Sequence, residues 1–377
     1  MCNKQLILFT FLICLIFVSC RQDENKTSKQ KNDFSVIAYY SGNAAEIEKY
    51  NFEGITHVIY SFLHLKGNEL AVDDSNDSLV IRKLVDLKKQ HLKLKVILSL
   101  GGWGGCFNCS DVFSIDTGRK EFAKSARLLL EKYHADGLDL DWEYPAIQGV
   151  PDHPYKKEDR RNFTLLLREL RKEFGSSYEL SFAAGGFVQY LKDSIEWKEV
   201  TPLVDKINLM SYDLTNGYSL STGHHTPLFS SEKQIESTVR AVRWLDSIGV
   251  PLDKIVIGSA FYARVWENVD SLNNGLYRPG KFKWMLSQRI IDSVLSKENG
   301  FNEYWDKACM APYKYSSKQK LFATYDNEKS VALKVAYARY HGLGGIMFWE
   351  LWCDRYKNGL LKCILKNANT YKPGTKL

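Results

Sequence analysis

The sequence predicts an α/β fold: a (β/α)8 TIM barrel with a small α+β subdomain inserted between strands 7 and 8. Three observations predict it. Eight short, apolar, β-rich runs recur along the chain. Stretches with apolar residues at helical spacing separate them. No G-x-G-x-x-G follows the first run, which argues against a doubly wound open sheet.

The runs are SVIAYY (35–40), ITHVIYSF (55–62), LKVILSLGG (94–102), DGLDLDWE (136–143), YELSFAAGG (178–186), KINLMSY (206–212), KIVIGSAFY (254–262) and GIMFWEL (345–351). Between them, residues 77–91, 119–134 and 158–175 place apolar side chains on one helical face. In residues 77–91 that face is Leu79, Val80, Leu84, Val85 and Leu87. Alternation of this kind gives a parallel sheet with helices outside, and eight units close into a barrel. The seventh and eighth runs lie much further apart than the others. A helix over 328–341 fills part of that gap. The remainder, 267–322, is rich in Tyr, Phe, Trp and Lys and reads as a subdomain on the loop side of the barrel. The barrel itself is expected over 34–266 and 323–370.

The N-terminus reads differently. Residues 1–19 hold one charge, Lys4, then the apolar run LILFTFLICLIFV, as in a signal peptide. The run ends in FVSC, like a bacterial lipoprotein cleavage box, so Cys20 is the expected lipidation site. An uncleaved membrane anchor is the alternative, although the run is short for a spanning helix. Residues 20–33 are polar and read as a flexible tether. An exported chain, lipid-anchored to a bacterial membrane at the outer membrane or cell surface, is expected, with a monomer as the default.

The composition is that of a folded globular protein: 45% hydrophobic and 25% charged. The net charge of +7 is modest, and no dense Lys/Arg block suggests nucleic acid. Cys106 and Cys109 form a C-x-x-C in an apparent loop, read as a stapling disulfide or free thiols. No second pair at zinc-ligand spacing is evident. Cys309, Cys353 and Cys363 remain unassigned.

The fourth run carries the chemistry. Alternate side chains of a strand share a face, so Asp139, Asp141 and Glu143 point into the barrel. Leu138, Leu140 and Trp142 face the helices, and Asp136 is out of phase and reads as structural. Burying three like charges is costly unless they share protons or find donors. Crowded carboxylates drive one another's pKa values apart, leaving one acid protonated near neutral pH. That suits general acid catalysis, and Glu143 lies at the C-terminal strand end where barrel sites sit. A divalent-cation site is the competing explanation, but no complete coordination shell is apparent.

DGLDLDWEYP resembles the D-x-x-D-x-D-x-E signature of glycoside hydrolase family 18, the chitinase family. SLGGW (99–103), MSYD (210–213), STGHHTPL (221–228), FATYDNEKSV (322–331) and GIMFWEL (345–351) resemble further family segments in order. The resemblance covers about residues 34–365 and includes the insertion. It implies hydrolysis of β-1,4 bonds between N-acetylglucosamine units of chitin or chito-oligosaccharides. Configuration would be retained by attack of the substrate's own 2-acetamido oxygen. It implies Glu143 as acid and base, with Asp141 orienting the acetamide. Asp139 would share a proton with Asp141, supported by Tyr39 and Ser99. Tyr212 would donate to the acetamide oxygen. Asp213 and Arg264 would contact the sugar, and Trp349 would form its floor. Trp103 would stack on the leaving-group sugar beside Tyr144. His224 and His225 are expected to shape their loop. No cofactor and no metal is implied.

Two departures stand out. Ala263 replaces a usual glycine, and Tyr218 sits where many chitinases carry tryptophan. The second puts long processive runs in doubt. With a lipid anchor and no separate chitin-binding module apparent, action on soluble or partly degraded chains at a cell surface is expected. Three rival readings remain. One is an endo-β-N-acetylglucosaminidase acting on N-glycan cores, another a non-hydrolytic chitin lectin. The third is a metal-dependent hydrolase.

Overall fold

The structure is a computed structural model that describes residues 34–371. The apolar segment 1–19, the polar stretch 20–33 and Cys20 lie outside the described residues. Among the described residues, no helix is long and apolar enough to cross a membrane.

All eight apolar runs form strands: Ser35–Tyr40, His57–Lys66, Lys95–Gly101, Gly137–Asp141, Glu179–Gly185, Lys206–Met210, Ile255–Ala260 and Gly345–Trp349. Each pairs in parallel with the next. The first pairs with the eighth, closing the barrel.

The period of two settles which residues fill it. Ile37, Tyr39, Ile97, Ala183, Met210 and Met347 belong to the buried cluster inside. Leu138, Leu140 and Trp142 join the outer core under the helices. There Trp142 packs against Phe113 and Phe163 at 5.6 and 6.3 Å between rings. Asp136 lies just before the fourth strand. It pairs with Lys88 at 2.7 Å and accepts the Val96 amide at 2.7 Å, the structural part expected of it.

The expected helices form at Ser75–Asp86, Asp116–Tyr133, Asp159–Phe174 and Glu328–Tyr340. Asp74 caps the first, accepting from the amides of Asn76 and Asp77. Asn327 and Ser330 form a reciprocal capping box on the last. The alternation is not complete: only a 3-10 turn, Ile47–Lys49, connects the first two strands.

The insertion is a five-stranded antiparallel sheet. It runs Lys281–Ser287, Tyr262–Glu267, Leu321–Thr324, Ala311–Ser316, Asn302–Asp306 in spatial order. It therefore reaches beyond 267–322 at both ends. The chain leaves the barrel after Ala260 and Tyr262 already belongs to the new sheet. KIVIGSAFY reads as one strand because no Gly, Pro or Asn marks the break at its end.

A buried ion pair fastens this insertion back to the barrel. Lys334 and Asp326 are both fully buried and 2.6 Å apart. Asp326 also accepts from the Ser259 hydroxyl (2.9 Å), the Ala260 amide (3.0 Å) and Ser330 (2.6 Å).

Candidate active site

At the C-terminal end of the barrel the acid row is graded in depth. Asp139 is completely buried and Asp141 nearly so, while Glu143 is partly open. The fourth strand ends at Asp141, so Glu143 stands two residues beyond it rather than on it.

Asp139 is satisfied by neutral donors from four other strands. Its Oδ2 accepts from Tyr39 (3.1 Å) and Ser99 (2.9 Å), and its Oδ1 from Ser181 (2.6 Å) and Asn208 (3.1 Å). Burial raises its pKa and these hydrogen bonds pull against the rise. Asp141 has less support. Its Oδ1 is buried and has no hydrogen-bond partner among the described residues. Burial first, then the charges of Glu143 and Asp139, push its pKa well up. Burial lifts Glu143 to about 7; Asp213 adds to the rise, and Tyr144 and Arg264 oppose it. The result is an acid that keeps its proton near neutrality, facing the open end of the row.

Glycines allow this assembly. Gly101 has φ +105, and a Cβ there would lie 2.3 Å from the Asp141 carbonyl oxygen. Gly102 donates its amide to that same oxygen at 2.8 Å. The turn carries the chain out to Trp103, which is 51% exposed. A disulfide joins Cys106 to Cys109 just beyond, as one of the two cysteine readings expected. At Gly258 an added Cβ would come 2.8 Å from the Tyr212 ring, so only glycine leaves that ring its place.

Tyr212 lies over the row, and among the described residues its hydroxyl hydrogen-bonds only Met347 Sδ, at 3.8 Å. That donor is available to a ligand. Asp213 takes a left-handed conformation, φ 57. Arg264, on the insertion sheet, binds both its oxygens, and Tyr262 donates to it at 2.7 Å. His225 Nδ1 is 3.4 Å away. Burial pushes the Asp213 carboxyl up, but His225 and Arg264 outweigh it and hold the group well below the usual carboxylate range. Trp349 stacks on Phe62 at 5.4 Å and tilts against Tyr39 at 5.9 Å, forming an aromatic floor. Tyr144 packs on Phe187 and Tyr190, each at 5.4 Å. Trp103 stands 6.4 Å from both Tyr144 and Tyr218.

The eleven site residues that the resemblance implies, Tyr39, Ser99, Trp103, Asp139, Asp141, Glu143, Tyr144, Tyr212, Asp213, Arg264 and Trp349, thus lie together at this end of the barrel, whereas Asp136 and His224 lie apart from them. Non-proline cis peptides precede Phe62, Tyr144 and Glu350, at three points on its rim. Past Tyr218 the cleft opens into a depression of about 900 Å³ whose lining includes Gln148, Tyr155, Gln189 and Arg160.

The profile described as Glycosyl hydrolases family 18 matches residues 35–354. The chain belongs to that family. It is 33% identical to chitinase A1 of Niallia circulans over 324 residues, covering 78% of this chain and 46% of that protein. It is 30% identical to mouse chitotriosidase-1 over 330 residues, covering 80% and 68%. The chain thus spans between about half and two thirds of the length of these curated relatives. Among solved structures it resembles a family 18 N-acetylglucosaminidase from Paenibacillus barengoltzii, with TM-score 0.81 and 32% identity, covering 89% of this chain and all of that one. It also resembles chitinase ChiW from a Paenibacillus strain, with TM-score 0.83 and 31% identity, covering 91% and 44%.

Four residues that hold the site together were not singled out from the sequence. Ser181 and Asn208 hold Asp139, Phe62 lies against Trp349, and Tyr262 holds Asp213. Asn208 shares strand parity with Met210 and Tyr212, so the alternation that exposed the acid row also marks it. Among the described residues, one group has His, Cys and carboxylate atoms within metal-ligand reach: His224, Asp306 and Cys309.

Proposed function

We propose that this family 18 protein hydrolyses β-1,4 bonds between N-acetylglucosamine units of chitin or chito-oligosaccharides, acting as a monomer. The observation that carries this is the pairing of Glu143, protonated up to about pH 7, with an Asp141 that has a free buried oxygen. Glu143 protonates the leaving oxygen and later takes a proton from water. Asp141 accepts the acetamide N–H and stabilises positive charge as the acetamide oxygen attacks the anomeric carbon. Tyr212 donates to that acetamide oxygen, which fits a hydroxyl with no competing strong partner. Asp139 stays in its donor cage and adds to the burial and the Glu143 charge that raise Asp141. Trp349 meets the apolar ring face of the sugar undergoing cleavage. Trp103 and Tyr218 receive the leaving-group side, and the polar depression beyond them suits a short continuing chain.

The names of the relatives support this substrate class, and the 2-acetamido group is its distinguishing chemical requirement. The test compares aryl β-glycosides of N,N′-diacetylchitobiose and of cellobiose. Cleavage of the first with retained anomeric configuration, and none of the second, supports the reading. Comparable cleavage of both, or inversion, overturns it. Release of N-glycans without turnover of chito-oligosaccharides would move the assignment to N-glycan cores.

We also propose that the mature chain begins at lipidated Cys20. The apolar run ending in FVSC supports this. Metabolic labelling with a fatty-acid analogue, present in wild type and absent in Cys20→Ser, is the expected outcome.

A further inference from the structure

Away from the acid row, three metal-binding side chains meet where the insertion touches the barrel loops. His224 follows the sixth strand, Asp306 ends the Asn302–Asp306 strand, and Cys309 lies in the turn before Ala311–Ser316. One ligand atom from each falls within 4.8 Å of the others. His224 and Cys309 are fully buried. His224 Nε2 lies 3.0 Å from Asp306 Oδ2. The Tyr277 hydroxyl sits 3.3 Å from that oxygen and 3.5 Å from Cys309 Sγ.

These spacings have a chemical meaning. Tetrahedral zinc bound at about 2.0 Å to nitrogen or oxygen and 2.3 Å to sulfur sets neighbouring ligand atoms roughly 3.3–3.7 Å apart. His224 Nε2 and Asp306 Oδ2, at 3.0 Å, lie within a few tenths of an ångström of that, and the three ligand atoms all fall within 4.8 Å of one another. Imidazole, thiolate and one carboxylate suit zinc, whereas calcium and magnesium take oxygen shells.

We propose that His224, Asp306 and Cys309 form a zinc site, with the Tyr277 hydroxyl beside the fourth position. Binding releases one proton, that of the Cys309 thiol, to solvent. The proton on His224 Nε2 moves to Nδ1, freeing the Nε2 lone pair for the metal. Among the described residues Nδ1 has no hydrogen-bond partner, so no outer carboxylate there strengthens the ligand. The affinity is therefore lower than that of a closed structural site, by roughly 10–100-fold for the missing outer partner alone.

Without the ion the same groups hydrogen-bond one another, so the fold does not depend on it. With it, the insertion hairpin is pinned to the loop bearing His224 and His225. The Cys309 carbonyl already accepts from the Leu228 and Phe229 amides of that loop.

The test uses the chelator-treated full-length protein, dialysed against about 10 µM zinc chloride and assayed for bound metal. One zinc per chain is expected. Affinity should fall at least roughly tenfold in Cys309→Ala and Asp306→Asn. It should persist in a Cys353→Ser/Cys363→Ser double variant. Cobalt substitution should give a thiolate charge-transfer band in wild type and none in Cys309→Ala. Wild type that binds no zinc, or zinc binding unchanged in Cys309→Ala, overturns the proposal. Should Asp306→Asn fail to fold, the cobalt spectra still decide.

Discussion

Arg264 grips both carboxylate oxygens of Asp213, so a residue of the insertion sheet fixes the one that follows Tyr212. Lysine cannot reproduce that two-pronged geometry. Arg264→Lys should cut kcat/KM on a fluorogenic chitobioside by roughly 10–100-fold, as expected for a charged hydrogen bond lost in a partly buried site. Its thermal midpoint should fall by roughly a few degrees, because the folded chain loses the same hydrogen bond. Kinetics equal to wild type would show that the pair does not position the site.

Glu143 should make the protein less stable as pH rises. Its folded pKa of about 7 exceeds the ordinary value of 4.5. The unfolded chain therefore loses this proton first. Stability from the protonated acid is full below about pH 4.5 and is lost as pH climbs to about 7. Asp141 pushes in the same direction. Gln does not titrate, so Glu143→Gln should unfold later than wild type at pH 7 by up to roughly 3 kcal/mol. The gap should close toward pH 4. Parallel stability–pH curves would contradict the assignment.

Tyr212 offers its hydroxyl to the ligand and holds almost nothing in the protein. Tyr212→Phe should lower kcat roughly 100-fold, as for a lost transition-state donor, with KM changing far less. Its melting temperature should match wild type. A large stability loss with normal kcat would make the residue structural.

Lys334 neutralises Asp326 where neither meets water. Removing one partner leaves a buried charge, so Lys334→Ala should cost roughly 3–5 kcal/mol in denaturant unfolding. A cost under 1 kcal/mol would mean that the remaining donors to Asp326 suffice.

Much of the fold was legible because periodicity and burial coincide. The parity of Asp139, Asp141 and Glu143 placed the row in the barrel; the structure buries Asp139 and Asp141 there and sets Glu143 two residues past the strand end. Parity applied equally to Asn208 would have found the donor to Asp139. What periodicity does not carry is partnership between distant segments. Nothing near Tyr262 signals that the chain changes sheets, because aromatic residues suit both a barrel strand and an insertion strand. Arg264 pairing with Asp213, and Phe62 lying against Trp349, join positions far apart in the chain. Such contacts exist only once the barrel has closed. The N-terminal reading rests on the apolar run and its FVSC ending.

The most direct test of the account is product analysis of chitohexaose incubated with wild type and Glu143→Gln. The account predicts short N-acetylglucosamine oligomers from wild type, and a loss of roughly 10²–10⁴-fold in rate in the variant. An intact hexamer with wild type, or equal cleavage by the variant, would contradict it.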